Sequence, residues 1–292
     1  MKSRWLINLA LLVVVVGVAL ALYLAPQPKQ DQAVAIQVSS LAPAQISNIS
    51  IEFPAKKSVE MKKRDGRWFL TQPLAVRAGQ GAVDQILSIL TATSVDKFDA
   101  SDPARYGLDH PALVLKLDAE TFNFGTYNPV SGKQYVGNRN SVYLVDSKYS
   151  EAASIQVVEM IDKNLLAPDE QIAGFDFSHL EQWEDHGLKL DLDKGQWKVS
   201  RTDAKPKQDE LNAWFGDSWG TLIAMSVEPY KPELKSKYPS FEIRLKNGKT
   251  LHFDKQSESP ELILARPDEG LRYHFPQDVG FQILNPPIGV PK

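Results

Sequence analysis

The chain has 292 residues, with 33 Lys and Arg against 36 Asp and Glu and 43% hydrophobic residues. That length supports one or two domains with a sizeable core, and the balance of charge and hydrophobicity excludes a disordered polyelectrolyte. With no cysteine, a disulfide scaffold, a Cys-ligated zinc, a thiol nucleophile and a lipid-modified N-terminal Cys are excluded as well.

The first element is Trp5–Leu24, a run of 20 residues without a charge. As a helix it rises about 30 Å, the thickness of a bilayer's hydrocarbon core. Lys2 and Arg4 precede it. They predict a cytoplasmic N-terminus, a single-pass anchor over 1–25, and an extracytoplasmic remainder. Ala19-Leu20-Ala21 also reads as a signal-peptidase site, but a cleaved apolar region usually runs only about 7–15 residues. After Leu24 the apolar runs are short and broken by charge, so no second span is expected. Residues 26–45 read as a polar spacer.

The remainder of the chain is one unit written twice. VEMKKRDGRWFL (59–70) and LKLDLDKGQWKVS (188–200) are alternating strands around Asp65-Gly66 and Lys194-Gly195, the signature of tight β-hairpins. Trp68 and Trp197 occupy matching places 129 residues apart. Val83, Ile86, Leu87 and Leu90 form an amphipathic helix face, repeated by Leu211, Trp214, Phe215, Trp219 and Leu222. Leu113–Leu117 then matches Phe241–Leu245, and Phe122–Phe124 matches Leu251–Phe253. A fixed period across several element types predicts an internal duplication. The fold class is therefore α+β, with two tandem units of mainly antiparallel sheet over 46–148 and 171–284, each with one covering helix. Ile155, Val158, Ile161 and Leu165 predict a linking helix within 149–170. The Pro-rich tail 285–292 is expected to be extended or loose.

Gly66–Pro73, Tyr106-Gly-Leu-Asp-His-Pro111, Phe124–Tyr127, Gln134–Val136 and Val142–Asp146 together resemble a bacterial family, the domain of unknown function 4340. The resemblance is fuller over 46–175 and fainter in the second copy, where Tyr238-Pro239 keeps only the end of the Tyr-Gly-Leu-Asp-x-Pro segment. It implies a protein anchored in the bacterial inner membrane with a periplasmic domain. Some relatives are associated with gliding-motility-type ABC transport systems. The resemblance carries no catalytic residue over to this chain.

The residues themselves offer little chemistry. His110, His179, His186, His252 and His274 form no zinc-ligand spacing, and His179, Glu181, Glu184, Asp185 and His186 read as a solvated turn. There is no G-x-S-x-G elbow, P-loop or G-x-G-x-x-G. No catalytic residue, cofactor or metal is therefore expected. Without Lys2 and Arg4 the 33 basic residues fall to 31 against 36 acidic ones, which argues against nucleic-acid binding.

Matching features such as Trp68 and Trp197 are core features, so function is sought in what one copy has and the other lacks. That is the loop carrying Tyr127, Lys133, Tyr135 and Arg139, with Tyr and Arg the side chains that anchor interfaces. Lys231–Lys237 is a second segment unique to one copy. The sequence reading is a non-enzymatic module held in the bilayer by residues 5–24, which binds a protein partner in an envelope transport assembly. The alternative is a hydrolase or ligand-binding enzyme with its site between the repeats.

Overall fold

The structure is a computed structural model describing residues 2–24, 34–220, 222–233 and 237–289. The chain divides into two compact units, Met1–Ile36 and Gln37–Lys292. The first holds α1 (Lys2–Leu24). Its side chains are described for Trp5, residues 9–20 and Tyr23, all of them exposed. No helix among the described residues is long and apolar enough to cross a membrane.

The second unit is built of two sheets. Repeat 1 contains β2 (Asn48–Phe53), β3 (Lys56–Arg64), β4 (Arg67–Gln72), β5 (Val76–Arg77), α2 (Gln80–Leu87) and β7 (Lys97–Asp99). It continues with β8 (Leu113–Leu117), β9 (Glu120–Asn128), β10 (Lys133–Asn138), β11 (Ser141–Asp146) and α3 (Lys148–Ser154). Two short strands, β1 (Ile36–Gln37) and β6 (Thr93–Ser94), lie outside this sheet. Repeat 2 contains β12 (Ile172–Asp176), β13 (Lys189–Asp193), β14 (Gln196–Val199), α4 (Gln208–Trp219) and β15 (Ser226–Pro229). After these come β16 (Ser240–Leu245), β17 (Thr250–Ser257), β18 (Glu261–Arg266), β19 (Leu271–Pro276) and α5 (Gln277–Leu284).

The strand orders are β5-β4-β3-β2-β8-β9-β10-β11-β7 and β14-β13-β12-β16-β17-β18-β19-β15. Apart from β5 they are the same order, strand for strand. The duplication is therefore one of topology as well as sequence. Both hairpin turns carry positive φ at both central residues, Asp65 (50°) and Gly66 (77°), then Lys194 (49°) and Gly195 (80°). This is the primed turn whose twist matches the flanking strands.

Strand alternation places the core as expected. Leu113, Leu115, Leu117, Phe122 and Phe124 are buried in repeat 1, as are Phe241, Ile243, Leu245 and Phe253 in repeat 2. Trp68 and Trp197 are buried too. Repeat 2 is the more aromatic: Phe175 packs on Phe177, Trp197 and Trp219, with ring centroids 5.3, 5.9 and 4.8 Å away.

Three boundaries differ from the sequence reading. The linking helix is only α3, broken at Ile155, whose φ and ψ of −59° and 158° leave the helical region. Beyond a 3-10 turn at Val157–Met160 the chain is drawn out, because Ile161 and Asn164 form bridges to Ala78 and Ile223, one in each repeat. Tertiary pairing overrides the helical period there. α3 is the closing helix of repeat 1 and α5 its counterpart. α5 lies so close to β18 that a Cβ on Gly280 would stand 2.7 Å from Leu262 Cβ.

The spacer reading over 26–45 gives way where Val38 and Ser39 are buried; residues 26–33 lie outside the described residues. The tail is packed over 285–289, with Ile288 buried and Lys205 N–H donating to Gly289 O at 3.2 Å. Residues 290–292 lie outside the description, as do 234–236 of the Lys231–Lys237 segment.

Candidate functional site

Each repeat begins with an arm that the hydrophobic pattern does not reveal. Leu41-Ala-Pro-Ala-Gln-Ile46 and Leu166-Ala-Pro-Asp-Glu-Gln-Ile172 are the same motif with one residue inserted. The local structure repeats with it. Gln45 Oε1 accepts from Ala42 N–H at 2.9 Å, and Glu170 Oε2 from Ala167 N–H at 2.7 Å. Just upstream, Val38 N–H donates to Ala92 O at 3.0 Å, while Ala224 N–H donates to Lys163 O at 2.9 Å. Each arm is thus stitched to the segment after its repeat's covering helix.

The second arm also meets repeat 1, and there the chain buries its charges. Arg77 of β5 donates from Nε to Glu269 Oε1 at 2.9 Å, from Nη1 to Asp162 Oδ2 at 2.7 Å and from Nη2 to Asn164 O at 2.8 Å. Tyr273 Oη donates to Glu269 Oε2 at 2.6 Å. Behind them, Arg266 forks onto both oxygens of Glu170 at 2.9 Å, reaches Leu165 O at 2.8 Å and pairs with Asp268. Arg266 is only 1% exposed, yet every charge around it is matched. Arg67 pairs with Asp169 across the same junction.

Burial alone would disfavour the Arg77 and Arg266 cations, but the surrounding carboxylates outweigh it and hold both pKa values above the usual arginine range. Burial, reinforced by the Glu269 charge, pushes the Tyr273 hydroxyl far up. Desolvation opposes ionisation of Glu170, yet hydrogen bonds from Arg266 and Ala167 N–H still hold it below the ordinary carboxylate value. The network is a structural clamp. Its acids and bases are consumed by one another.

Repeat 1 presents the equivalent face without a neighbouring repeat. Tyr143, opposite Lys97 in the β11–β7 ladder, stands where Tyr273 stands opposite Val227. Asn138 closes β10 opposite Ser141 as Arg266 closes β18 opposite Leu271. Each reaches its arm, Asn138 Nδ2 donating to Val38 O at 2.9 Å. The charges, however, are inverted. Glu120 is the buried partner here, 3% exposed against 68% for Arg139. It accepts from Ser39 Oγ at 2.5 Å and from Arg139 Nη2 at 2.7 Å. Asn138 Oδ1 is buried without a donor among the described residues. Lys97 Nζ lies 5.8 Å from the Tyr143 ring centroid. These side chains line an open pocket of about 350 Å³.

A second cavity, about 480 Å³, belongs to repeat 2 and is lined by Leu166, Ile172, Leu192, Phe215, Trp219 and Leu222, with Lys246 at its polar side. In repeat 1 the 3-10 turn at Pro43–Gln45 packs against the one at Ser88–Thr91. In repeat 2 the cleft lies between the arm and the end of the covering helix, at Phe215 and Trp219. Exposed Ile223 and Met225 extend the apolar surface along the segment after that helix.

The four side chains singled out in the sequence do not form one patch. Tyr127 pairs with Gln134 and Lys133 with Asn128, so adjacent positions put Tyr127 and Lys133 on opposite faces of the β9–β10 hairpin. Tyr135 is turned into an aromatic cluster, 5.0 Å from Tyr106 and 6.2 Å from Phe98. Its Oη accepts from Asn128 Nδ2 at 2.9 Å. Arg139 lies at the far end of β10, about 20 Å from Lys133 at strand rise. Of the four, only Arg139 lines either of these two cavities.

The histidines are scattered. His110 is exposed, His252 sits 3.0 Å from Asp254, and His274 sits 2.9 Å from Glu261. Among the described residues no three His, Cys, Asp or Glu converge as a metal cluster. Sequence reasoning missed Lys97, Glu120, Asn138 and Tyr143. The repeated Leu-Ala-Pro arm was the available signal, because it aligns the two faces.

The sequence model of the family described as "Domain of unknown function (DUF4340)" matches residues 68–229. The match runs from Trp68 in β4 of repeat 1 to Pro229 in β15 of repeat 2 and takes in more than half of the chain. No curated protein and no solved structure matches the chain. With most of repeat 1, the start of repeat 2 and the arm between them inside that match, the chain belongs to the DUF4340 family.

Proposed function

We propose that this chain is a non-enzymatic binding module, anchored in the bacterial inner membrane by residues 5–24, that serves as an accessory to an ABC-type envelope transport assembly. The observation that carries the reading is the internal junction. A turn, a tyrosine and an arm of repeat 2 grip a short edge strand of repeat 1 through Arg77 and Glu269. That contact supports a role in holding extended chain, and repeat 1 keeps the corresponding face open. The uncharged run behind Lys2 and Arg4 supports the anchor and its orientation. Confinement at the membrane raises the module's effective concentration near membrane partners.

The cleft beside Trp219 favours a second reading, in which repeat 2 takes an apolar ligand. Glu170, its carboxylate, is spent on Arg266, so this reading is one of binding, not of acid–base chemistry.

Topology reporters fused after residue 292 test the location. A reporter active only outside the cytoplasm is expected, and one active only inside would overturn the reading.

A further inference from the structure

We infer that the open face of repeat 1, around Lys97, Arg139 and Tyr143, is a docking site for an extended protein segment carrying carboxylate side chains. The inference rests on the binding-module reading above and adds the surface and the chemistry of its partner.

The internal junction shows what the equivalent face of repeat 2 holds. There Glu269 lies in the β18–β19 turn and Tyr273 on β19, and together they receive the guanidinium of Arg77 from a two-residue edge strand. In repeat 1 the corresponding turn carries Arg139, and Lys97 replaces Val227 opposite the tyrosine. The sign of the exposed charge is reversed, so the complementary occupant carries an acid where repeat 1 carries Arg77. Arg139 spends only Nη2 on Glu120. Its Nε and Nη1 have no partner among the described residues, and each is left to donate a single charge-assisted hydrogen bond to a carboxylate oxygen. Lys97 has no carboxylate partner among the described residues, and no hydrogen bond holds Tyr143 Oη within them.

A second copy of this chain is a poor occupant. Arg77 lies three residues before the first residue of α2, and Lys205 lies three before the first residue of α4. Lys205, whose exposed side chain stands on a segment paired with the tail at Gly289, is therefore what repeat 2 offers in place of Arg77; Lys207 beside it is paired with Glu210. Head-to-tail stacking would bring Lys205 against Arg139 and Lys97, like charge against like. A heterologous contact of that kind would also grow without closing. The inverted charge lets the fold use its docking mode once internally while rejecting its own copies.

The test is site-specific photocrosslinking in cells with the full-length protein. A benzophenone amino acid replaces Ser40, an exposed residue lining this pocket, or separately Val130, exposed at the β9–β10 turn. The expected result is an adduct from position 40 whose crosslinked protein segment contains Asp or Glu. Its yield should fall at least tenfold in Lys97→Glu and in Arg139→Gln. Lys97→Glu leaves the Arg139–Glu120 pair intact, and an unchanged urea midpoint shows that it folds. Adducts that survive both substitutions overturn the inference, as do adducts with a second copy or with phospholipid. Protein adducts from position 130 alone overturn this face while the binding-module reading stands. No protein adduct from either position removes both.

Discussion

Arg77 in repeat 1 and Glu269 in repeat 2, 192 residues apart in sequence, meet at 2.9 Å with little solvent access to either. Their contact makes the duplicated units interdependent. Removing one partner takes away part of the other's pairing in a site with little solvent access, leaving Arg77 with Asp162 and Glu269 with Tyr273, so Arg77→Ala and Glu269→Ala should each cost about 1–3 kcal/mol. The double mutant should cost less than the sum, with a coupling of about 1–3 kcal/mol in a urea double-mutant cycle. Additive losses would mean that the repeats are held by other contacts.

Arg266 is the more deeply buried cation, and its fork geometry is used on Glu170. Arg266→Leu should destabilise the chain by about 3–5 kcal/mol, because Glu170 and Asp268 lose their counter-charge together. Arg266→Lys keeps the charge but not the paired donors, and it should recover less than half of that loss. Chemical denaturation of the three proteins decides it.

Glu170 links this clamp to pH. Its pKa lies below the ordinary 4.5 in the folded protein. The unfolded chain therefore takes up its proton first as the medium is acidified. The stability this group contributes is complete above about pH 4.5 and is lost as pH falls through the depressed folded value. Thermal midpoints measured from neutral pH down to about pH 3 should fall more steeply for the native protein than for Glu170→Gln. Parallel curves would show that Glu170 takes no part in acid unfolding.

Two glycines make opposite demands. Gly195 has φ of +80° with open space around it, so Gly195→Ala should cost about 1–2 kcal/mol through backbone strain alone. Gly280 meets Leu262 instead, and Gly280→Ala should cost about 1–3 kcal/mol through overpacking. Leu262→Gly, which removes the Cβ that the new methyl meets, should be coupled to Gly280→Ala in a double-mutant cycle and additive with Gly195→Ala, as read from melting curves.

Much of the fold was legible because the chain repeats its local rules. Asp65-Gly66 and Lys194-Gly195 announce hairpins, and the Phe122–Phe124 and Leu251–Phe253 alternations announce half-buried strands. The linking segment misled because Ile161 and Leu165 happen to recur at helical spacing while their burial comes from bridging two sheets. The tail misled because three prolines suggest loose chain, although Ile288 is packed against the fold.

The candidate face was only partly visible in the sequence. Arg139 stood out by residue type. Glu120 and Lys97 acquire meaning only when β9, β10, β11 and β7 are laid side by side. Tyr135 looked like an interface anchor, yet it is half-buried against Tyr106 and Phe98. Sequence shows which side chains exist, and the pleat decides which of them face outward.

The most direct test of the functional account is crosslinking in cells of a C-terminally tagged full-length chain, followed by purification in mild detergent and mass spectrometry. The account predicts reproducible recovery of an ABC-type membrane protein, lost when residues 37–289 are deleted and strongly reduced in Lys97→Glu. Recovery of no partner above background would contradict it.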